Sequence, residues 1–309
     1  MSTLSLERPS GRVPGREEPW TVLNLVLWSA HYLEEKGVPA ARLDAEHLLA
    51  DTLGVPRLGL YLRHDRPLEA PELAAFKPRL LRRARREPLQ YILGRAAFRQ
   101  MHLAVDRRVL VPRPETELLA GEVLAWTAGR AAAGLRALDL GTGCGALALA
   151  LATEGDFAGI VATDISRNAL EVASLNHAQY HDGAPVEFRA GSLYEPLGRD
   201  ERFDAIVSNP PYIPSAELEE LEPEVRDWEP RRALDAGADG MRVLEPLIAG
   251  APRHLAPAGL LALEVGADQA APAARRIDDT GAFARVRVIP DLAGRERMVL
   301  AHRRRNEDR

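Results

Sequence analysis

From residue 135 onward, strand-like and helix-like segments alternate, and this alternation restricts the fold more than any other feature of the chain. LRALDL (135–140), GIVATD (159–164), VEFRA (186–190), FDAIVSN (203–209) and GLLALEV (259–265) are short runs of strand-forming residues. Between them CGALALALA, RNALEVASLNHA and MRVLEPLIAGAPRHL carry helical spacing. Successive strand–helix–strand units close as right-handed parallel crossovers, so an open, mostly parallel α/β sheet with helices on both faces is expected. ARVRVIP and RERMVLAHR, joined by DLAG, add an antiparallel pair and bring the sheet to seven strands. The final RRRNEDR is expected to fray.

The first part of the chain has a different character. TVLNLVLWSAHYLEEKG places Val22, Val26, Ala30 and Leu33 on one helical face and stops at Gly37. ARLDAEHLLADTLG, LGLYLRHD and PELAAFKPRLLRRARRE predict three more helices, the last with Pro78 inside it, so residues 20–86 form a small all-α domain. Residues 87–114 hold Phe98, Leu103, Val105, Val109 and Val111 among polar neighbours, the pattern of a β-hairpin linker. The catalytic-type α/β domain then spans 115–309, and 1–19, with its charges and prolines, is a disordered leader.

Composition excludes several classes. A single cysteine, Cys144, permits no internal disulfide and no multi-cysteine zinc site, and no histidine shows metal-ligand spacing, so no metal is expected. A net charge of −5 and a pI near 6.0 argue against a dedicated nucleic-acid binder. With no apolar run of membrane-spanning length and no signal-peptide pattern, a cytoplasmic location is the default. The run Lys77, Arg79, Arg82, Arg83, Arg85 and Arg86 is expected to be a solvated helix face, with docking of an acidic partner as the other option.

Two motifs carry chemistry. LDLGTGCG ends a strand and opens a helix, and Gly141, Gly143 and Gly145 permit a tight turn that lets a ligand approach the backbone. Asp164 closes the next strand, 25 residues after Asp139, where a carboxylate accepts both hydroxyls of a ribose. No Lys-Ser/Thr follows the glycines, which disfavours a Walker-type nucleotide. The second motif is NPPY, where Asn209 closes a strand at the carboxyl edge of the sheet. Pro210 holds Asn209 extended, and neither proline has an N–H. The Asn209 carboxamide oxygen and the Pro210 carbonyl can therefore each accept one hydrogen of a substrate –NH2, while Tyr212 offers a flat aromatic face. Such a grip suits adenine, cytosine or a glutamine side chain equally. It would hold a poorly nucleophilic nitrogen in line with an electrophilic carbon.

The glycine loop with the acidic strand end resembles class I S-adenosylmethionine-dependent methyltransferases over roughly 110–309. That resemblance implies a Rossmann-like sheet and S-adenosyl-L-methionine as methyl donor. It also implies that Gly141, Thr142, Gly143, Cys144 and Gly145 face the methionine part, Asp164 the ribose, and Ser192 and Leu193 the adenine, with Asn209 beside the cofactor. REPLQYILGRAAF, VDRRVLVPRPETELL, NPPYIP and DLAGRERMVLAHR together resemble the HemK/PrmC family of peptide chain release factor glutamine methyltransferases, from about Arg42 to His302. The Pro-Arg-Pro-Glu-Thr-Glu segment (112–117) is the most selective part. The family resemblance implies that Asn209, Pro210, Pro211 and Tyr212 bind the glutamine of the Gly-Gly-Gln motif in release factors, with Asn209 and Pro210 as the catalytic pair and no nucleic-acid or membrane partner. Ribosomal-protein glutamine methyltransferases and DNA amino-methyltransferases share NPPY and remain alternatives. Arg113, Glu115 and Glu117 would either line the mouth of the site or form ion pairs at a helix start.

Overall fold

The computed structural model describes residues 19–128, 134–180 and 182–305. The expected leader therefore lies outside the described residues except at Pro19, as does the end of the tail from 306 onward. The chain divides into two compact units, Met1–Gly94 with Pro223–Trp228, and Arg95–Glu222 with Glu229–Arg309.

In the first unit the four expected helices are present, as Val22–Glu35, Ala41–Leu53, Arg57–Leu62 and Ala70–Ala84. Thr21 caps the first by accepting from the Asn24 N–H. Glu69 and Glu72 form a reciprocal capping box on the fourth, which continues through Pro78. Leu25, Leu33, Leu48, Leu49, Phe76 and Leu80 close one apolar core among them. A fifth short helix, Leu89–Leu93, occupies part of the segment expected to be hairpin.

The basic run is a solvated face only in part: Lys77 and Arg85 are exposed, while the others are drawn into ion pairs. Arg83 is only 5% exposed and bonds Asp44 (2.7 Å) and Glu224 (2.7 Å). Arg86 reaches Glu224 through two nitrogens, Arg82 pairs with Glu87, and Arg79 with Asp51. Internal carboxylates neutralise most of the run, which removes the charge that an acidic partner would have met.

In the second unit β1 (Arg95–Phe98) and β2 (Met101–Ala104) form an antiparallel hairpin, shorter than the expected 87–114 segment. The sheet follows: β3 (Leu135–Leu140), β4 (Phe157–Asp164), β5 (Val186–Ala190), β6 (Phe203–Ser208), β7 (Leu255–Glu264), β8 (Phe283–Pro290) and β9 (Glu296–Arg303). Their order is β5-β4-β3-β6-β7-β9-β8, parallel from β5 to β7 and antiparallel for β9 and β8. This is the class I methyltransferase sheet. Arg303 pairs with Phe283, so the expected fraying does not reach it. Helix Ala270–Asp279 was not foreseen, although Ala270, Ala273 and Ile277 are buried along one face of it.

The two-residue period of the strands builds the core. Leu138, Leu140, Ile206, Leu261 and Leu263 point to one face and meet Leu244, Leu247, Ile248, Ala273 and Ile277. Ala137 and Asp139 point to the other, where Asp139 receives the Ala148 N–H of helix Ala146–Glu154. Because β3 has neighbours running to both sides, the crevice at its carboxyl end, between β3 and β6, is the switch point where open sheets bind ligands. Among the described residues, no helix is long and apolar enough to cross a membrane.

Candidate active site

The glycine loop, Asp164 and Asn209 lie together at that carboxyl edge. The loop after β3 turns through Gly141, Gly143 and Gly145, all left-handed (φ +75°, +58° and +88°), which side chains disfavour. The Gly141 and Thr142 N–H groups donate to the Thr163 carbonyl and tie the loop to β4. A Cβ on Gly141 or Gly143 would project into open space, whereas one on Gly145 would press on Ala173 and Leu149 at 3.3 Å. So Gly141 and Gly143 keep a cavity wall bare, and Gly145 serves close helix packing instead.

That wall belongs to a cavity of about 920 Å³, of a size to take a cofactor. Asp139, Gly141, Thr142, Gly143, Cys144, Asp164, Ser192, Leu193, Asn209 and Pro211 line it, whereas Gly145, Pro210 and Tyr212 do not. Cys144 is buried, which pushes its thiol up to about 12 and keeps it an inert, neutral side chain at neutral pH. Burial also raises Asp139 to about 7, against the hydrogen bonds it accepts from Thr142 Oγ1 (2.7 Å) and Ala148 N–H. Asp164 sits at the end of β4 with each carboxylate oxygen fixed by one backbone N–H, from Gly143 (2.9 Å) and Ser166 (2.8 Å). Each oxygen keeps a second lone pair for a ligand hydroxyl. The Leu193 carbonyl is held by Thr163 Oγ1 at 3.2 Å, which fixes the loop after β5.

Asn209 follows β6 directly, and Ser208 anchors that strand end by donating to the Leu140 carbonyl at 2.6 Å. Asn209 donates through Nδ2 to Thr116 Oγ1 at 3.0 Å. Thr116 in turn donates to Glu264 Oε2 at 2.6 Å. Among the described residues, neither Asn209 Oδ1 nor the Pro210 carbonyl accepts a hydrogen bond, so both acceptors required by the NPPY corner are available. The Tyr212 carbonyl is pinned by Gln269 Nε2 (2.7 Å), its hydroxyl accepts from Arg297, and the Arg297 guanidinium lies 5.0 Å from its ring centroid. One ring face is therefore occupied by a cation, and burial raises the phenol above its ordinary value.

Thr116, Glu264, Gln269 and Arg297 were not foreseen as part of the site. Of the segment around Thr116, Arg113 bonds both oxygens of buried Glu229 (2.8 and 2.7 Å) and Glu115 lies 3.6 Å from Arg295. Glu117 offers its backbone carbonyl to Arg99 at 3.2 Å. Arg113 and Glu115 are thus ion-paired at the start of helix Pro114–Ala128, whereas Glu117 in the same turn contributes its backbone carbonyl. The hairpin is tied to the site through Asn176: its side chain bonds Ala104 N–H and carbonyl, and donates to the Cys144 carbonyl at 2.8 Å.

A PrmC N-terminal domain model matches residues 24–94 and a methyltransferase small domain model matches 118–221. The release factor glutamine methyltransferase of Geobacter sulfurreducens is 45% identical over 284 residues, 92% of this chain and 97% of that protein. The chain belongs to the release factor glutamine methyltransferase family. The protein of that name from Rhodopirellula baltica is 36% identical over 92% of the chain and 96% of its own length. The solved release factor-specific protein-(glutamine-N5) methyltransferase of Alicyclobacillus acidocaldarius is 27% identical over 62% of this chain and 94% of that one, with a TM-score of 0.39. Membership in the release factor glutamine methyltransferase family brings S-adenosyl-L-methionine as methyl donor. The residues present fit it: a wall without Cβ atoms at Gly141 and Gly143, and an acidic strand end whose carboxylate has lone pairs to offer.

Proposed function

We propose that this chain methylates the side-chain amide nitrogen of the Gly-Gly-Gln glutamine in peptide chain release factors, and that Asn209 and Pro210 hold that amide. The observation that supports the site assignment is the pair of available acceptors, Asn209 Oδ1 and the Pro210 carbonyl, at the edge of a cavity floored by the glycine loop. When bound, S-adenosyl-L-methionine supplies an electrophilic methyl group on a positively charged sulfur. Asn209 and Pro210 each take one amide hydrogen, which aims the nitrogen at that methyl and favours the positive charge growing on the nitrogen. The amide proton is acidic once the N–C bond has formed, so it leaves to solvent and no strong base is needed beforehand. Pro211 walls the cavity, and Tyr212, set back from it, would offer the ring face opposite Arg297 to the flat carboxamide. Backbone of Gly141 to Cys144 meets the methionine part, Asp164 the ribose hydroxyls, and Ser192 and Leu193 the adenine. A cytoplasmic location goes with this substrate.

Release factor incubated with the protein and methyl-labelled cofactor should gain one CH2 on the Gly-Gly-Gln peptide by mass spectrometry. Label on DNA or on a ribosomal protein, with that peptide unmodified, refutes the assignment. Asp164→Ala should weaken cofactor binding about 10–100-fold by calorimetry, the worth of charge-assisted hydrogen bonds. At saturating cofactor its turnover should stay within a fewfold. Unchanged affinity would remove Asp164 from the ribose site.

A further inference from the structure

A carboxamide has two ends of nearly the same shape and opposite hydrogen-bonding sense. Turned round by 180°, Asn209 would offer an NH2 to the incoming –NH2, donor against donor, and the grip would be lost. The role proposed for Asn209 thus needs something that decides which end faces the cavity.

We infer that Thr116 and Glu264 set this direction, as a proton-counting relay whose only output is the orientation of the Asn209 amide. A hydroxyl has one proton and two lone pairs. The Thr116 proton is committed to Glu264 Oε2 at 2.6 Å. Only lone pairs remain on the side that meets Asn209, so the amide must bring its NH2 there, as it does at 3.0 Å. Oδ1 is left facing away. The inference rests on the acceptor role of Asn209.

The fold places the three residues on neighbouring elements. Ser208 and Leu263 are register partners in the parallel pair β6–β7, so Asn209 and Glu264 are adjacent strand ends. Thr116 reaches them from the first turn of helix Pro114–Ala128. Thr116 and Glu264 are both buried, Thr116 with one edge on the cavity, and the Thr116–Glu264 bond lies on its buried side. The second oxygen of Glu264 has no hydrogen-bond partner among the described residues. A fully buried acid with one idle oxygen is costly, and stability alone gives no reason for it. A carboxylate beneath Thr116 does, with burial raising it to about 7 and the Thr116 hydroxyl working against that rise: a hydrogen-bond donor at that place would free the hydroxyl proton to turn the amide round.

The test is a double-variant cycle on release factor methylation, with cofactor affinity by calorimetry and melting temperature alongside. Thr116→Val keeps the shape and removes the hydroxyl. It should lower kcat about tenfold or more, as loss of alignment does, with cofactor affinity unchanged, and Thr116→Ser should recover most of that loss. Introduced into Asn209→Ala, the same change should cost nothing further, because its effect passes entirely through Asn209. An equal loss in both backgrounds overturns the relay in favour of a structural role. Full activity of Thr116→Val beside a crippled Asn209→Ala overturns the relay alone. Full activity of Asn209→Ala overturns the acceptor role and the relay with it. Should the valine variant not fold, Glu264→Met takes its place, since it frees the Thr116 proton to bond Asn209 Oδ1 and should give the same pattern.

Discussion

Asn209→Ala should lower kcat roughly 10²-fold or more while leaving cofactor affinity within a fewfold. The asymmetry follows from where the side chain points. Asn209 lines the cavity, and among the described residues its side chain makes one hydrogen bond, to Thr116. The cofactor-facing surfaces are built by other elements: the glycine loop tied to Thr163, and Asp164 held by Gly143 and Ser166. Removing the carboxamide leaves those intact and deletes one of two acceptors for the substrate amide. An amide nitrogen, its lone pair delocalised into the carbonyl, depends on that alignment more than an amine would. Single-turnover methylation at saturating cofactor isolates the step. A variant with normal turnover would mean the glutamine is held elsewhere.

The parts of the site that announce themselves in sequence are those where one residue type is forced. A positive φ at a wall without Cβ atoms calls for glycine, and a rigid corner free of donors calls for proline, so Gly141, Gly143 and Pro210 were legible. Asp164 was legible as an acid ending an apolar strand. Glu264 has the same signature at the end of GLLALEV, but an acid at that strand end corresponds to no ligand group that the sequence pattern names. Thr116 sits inside the Pro-Arg-Pro-Glu-Thr-Glu segment among more conspicuous charged residues, of which Arg113 pairs with Glu229 and Glu115 with Arg295. The relay is invisible in the chain because its members lie 93 and 148 residues from Thr116 and meet only through strand register. The central strands β3, β6 and β7 were readable because buried parallel strands show as continuous apolar runs. The helix at 270–279 escaped notice even though its buried residues, Ala270, Ala273 and Ile277, recur at helical spacing.

The same blindness to distant pairing made the basic run look solvated, and the largest stability effect should arise there. Arg83→Met should destabilise the first unit by about 3–5 kcal/mol, the usual consequence of stripping a buried carboxylate of its partner. Arg83 is held between Asp44 and Glu224, at 2.7 Å from each. Burial raises the Asp44 carboxyl above its ordinary value even with Arg83 in place. Burial pushes Glu224 the same way, but Arg86 and Arg83 outweigh it and hold that carboxyl below its ordinary value. Without Arg83 both groups bind protons more readily in the folded state, so the folded variant carries more protons than the folded parent at intermediate pH. By linkage, the stability gap between the two must then widen as pH rises and narrow as it falls. Urea unfolding followed by tryptophan fluorescence should therefore show the full deficit near pH 8 and a smaller one near pH 5. Adding Asp44→Leu to the variant should recover part of the loss, since an apolar pair replaces an unpaired buried charge and Glu224 keeps Arg86. A deficit below about 1 kcal/mol, the same at every pH, would be that of a solvent-screened surface pair and would return the run to the solvated face its sequence suggests.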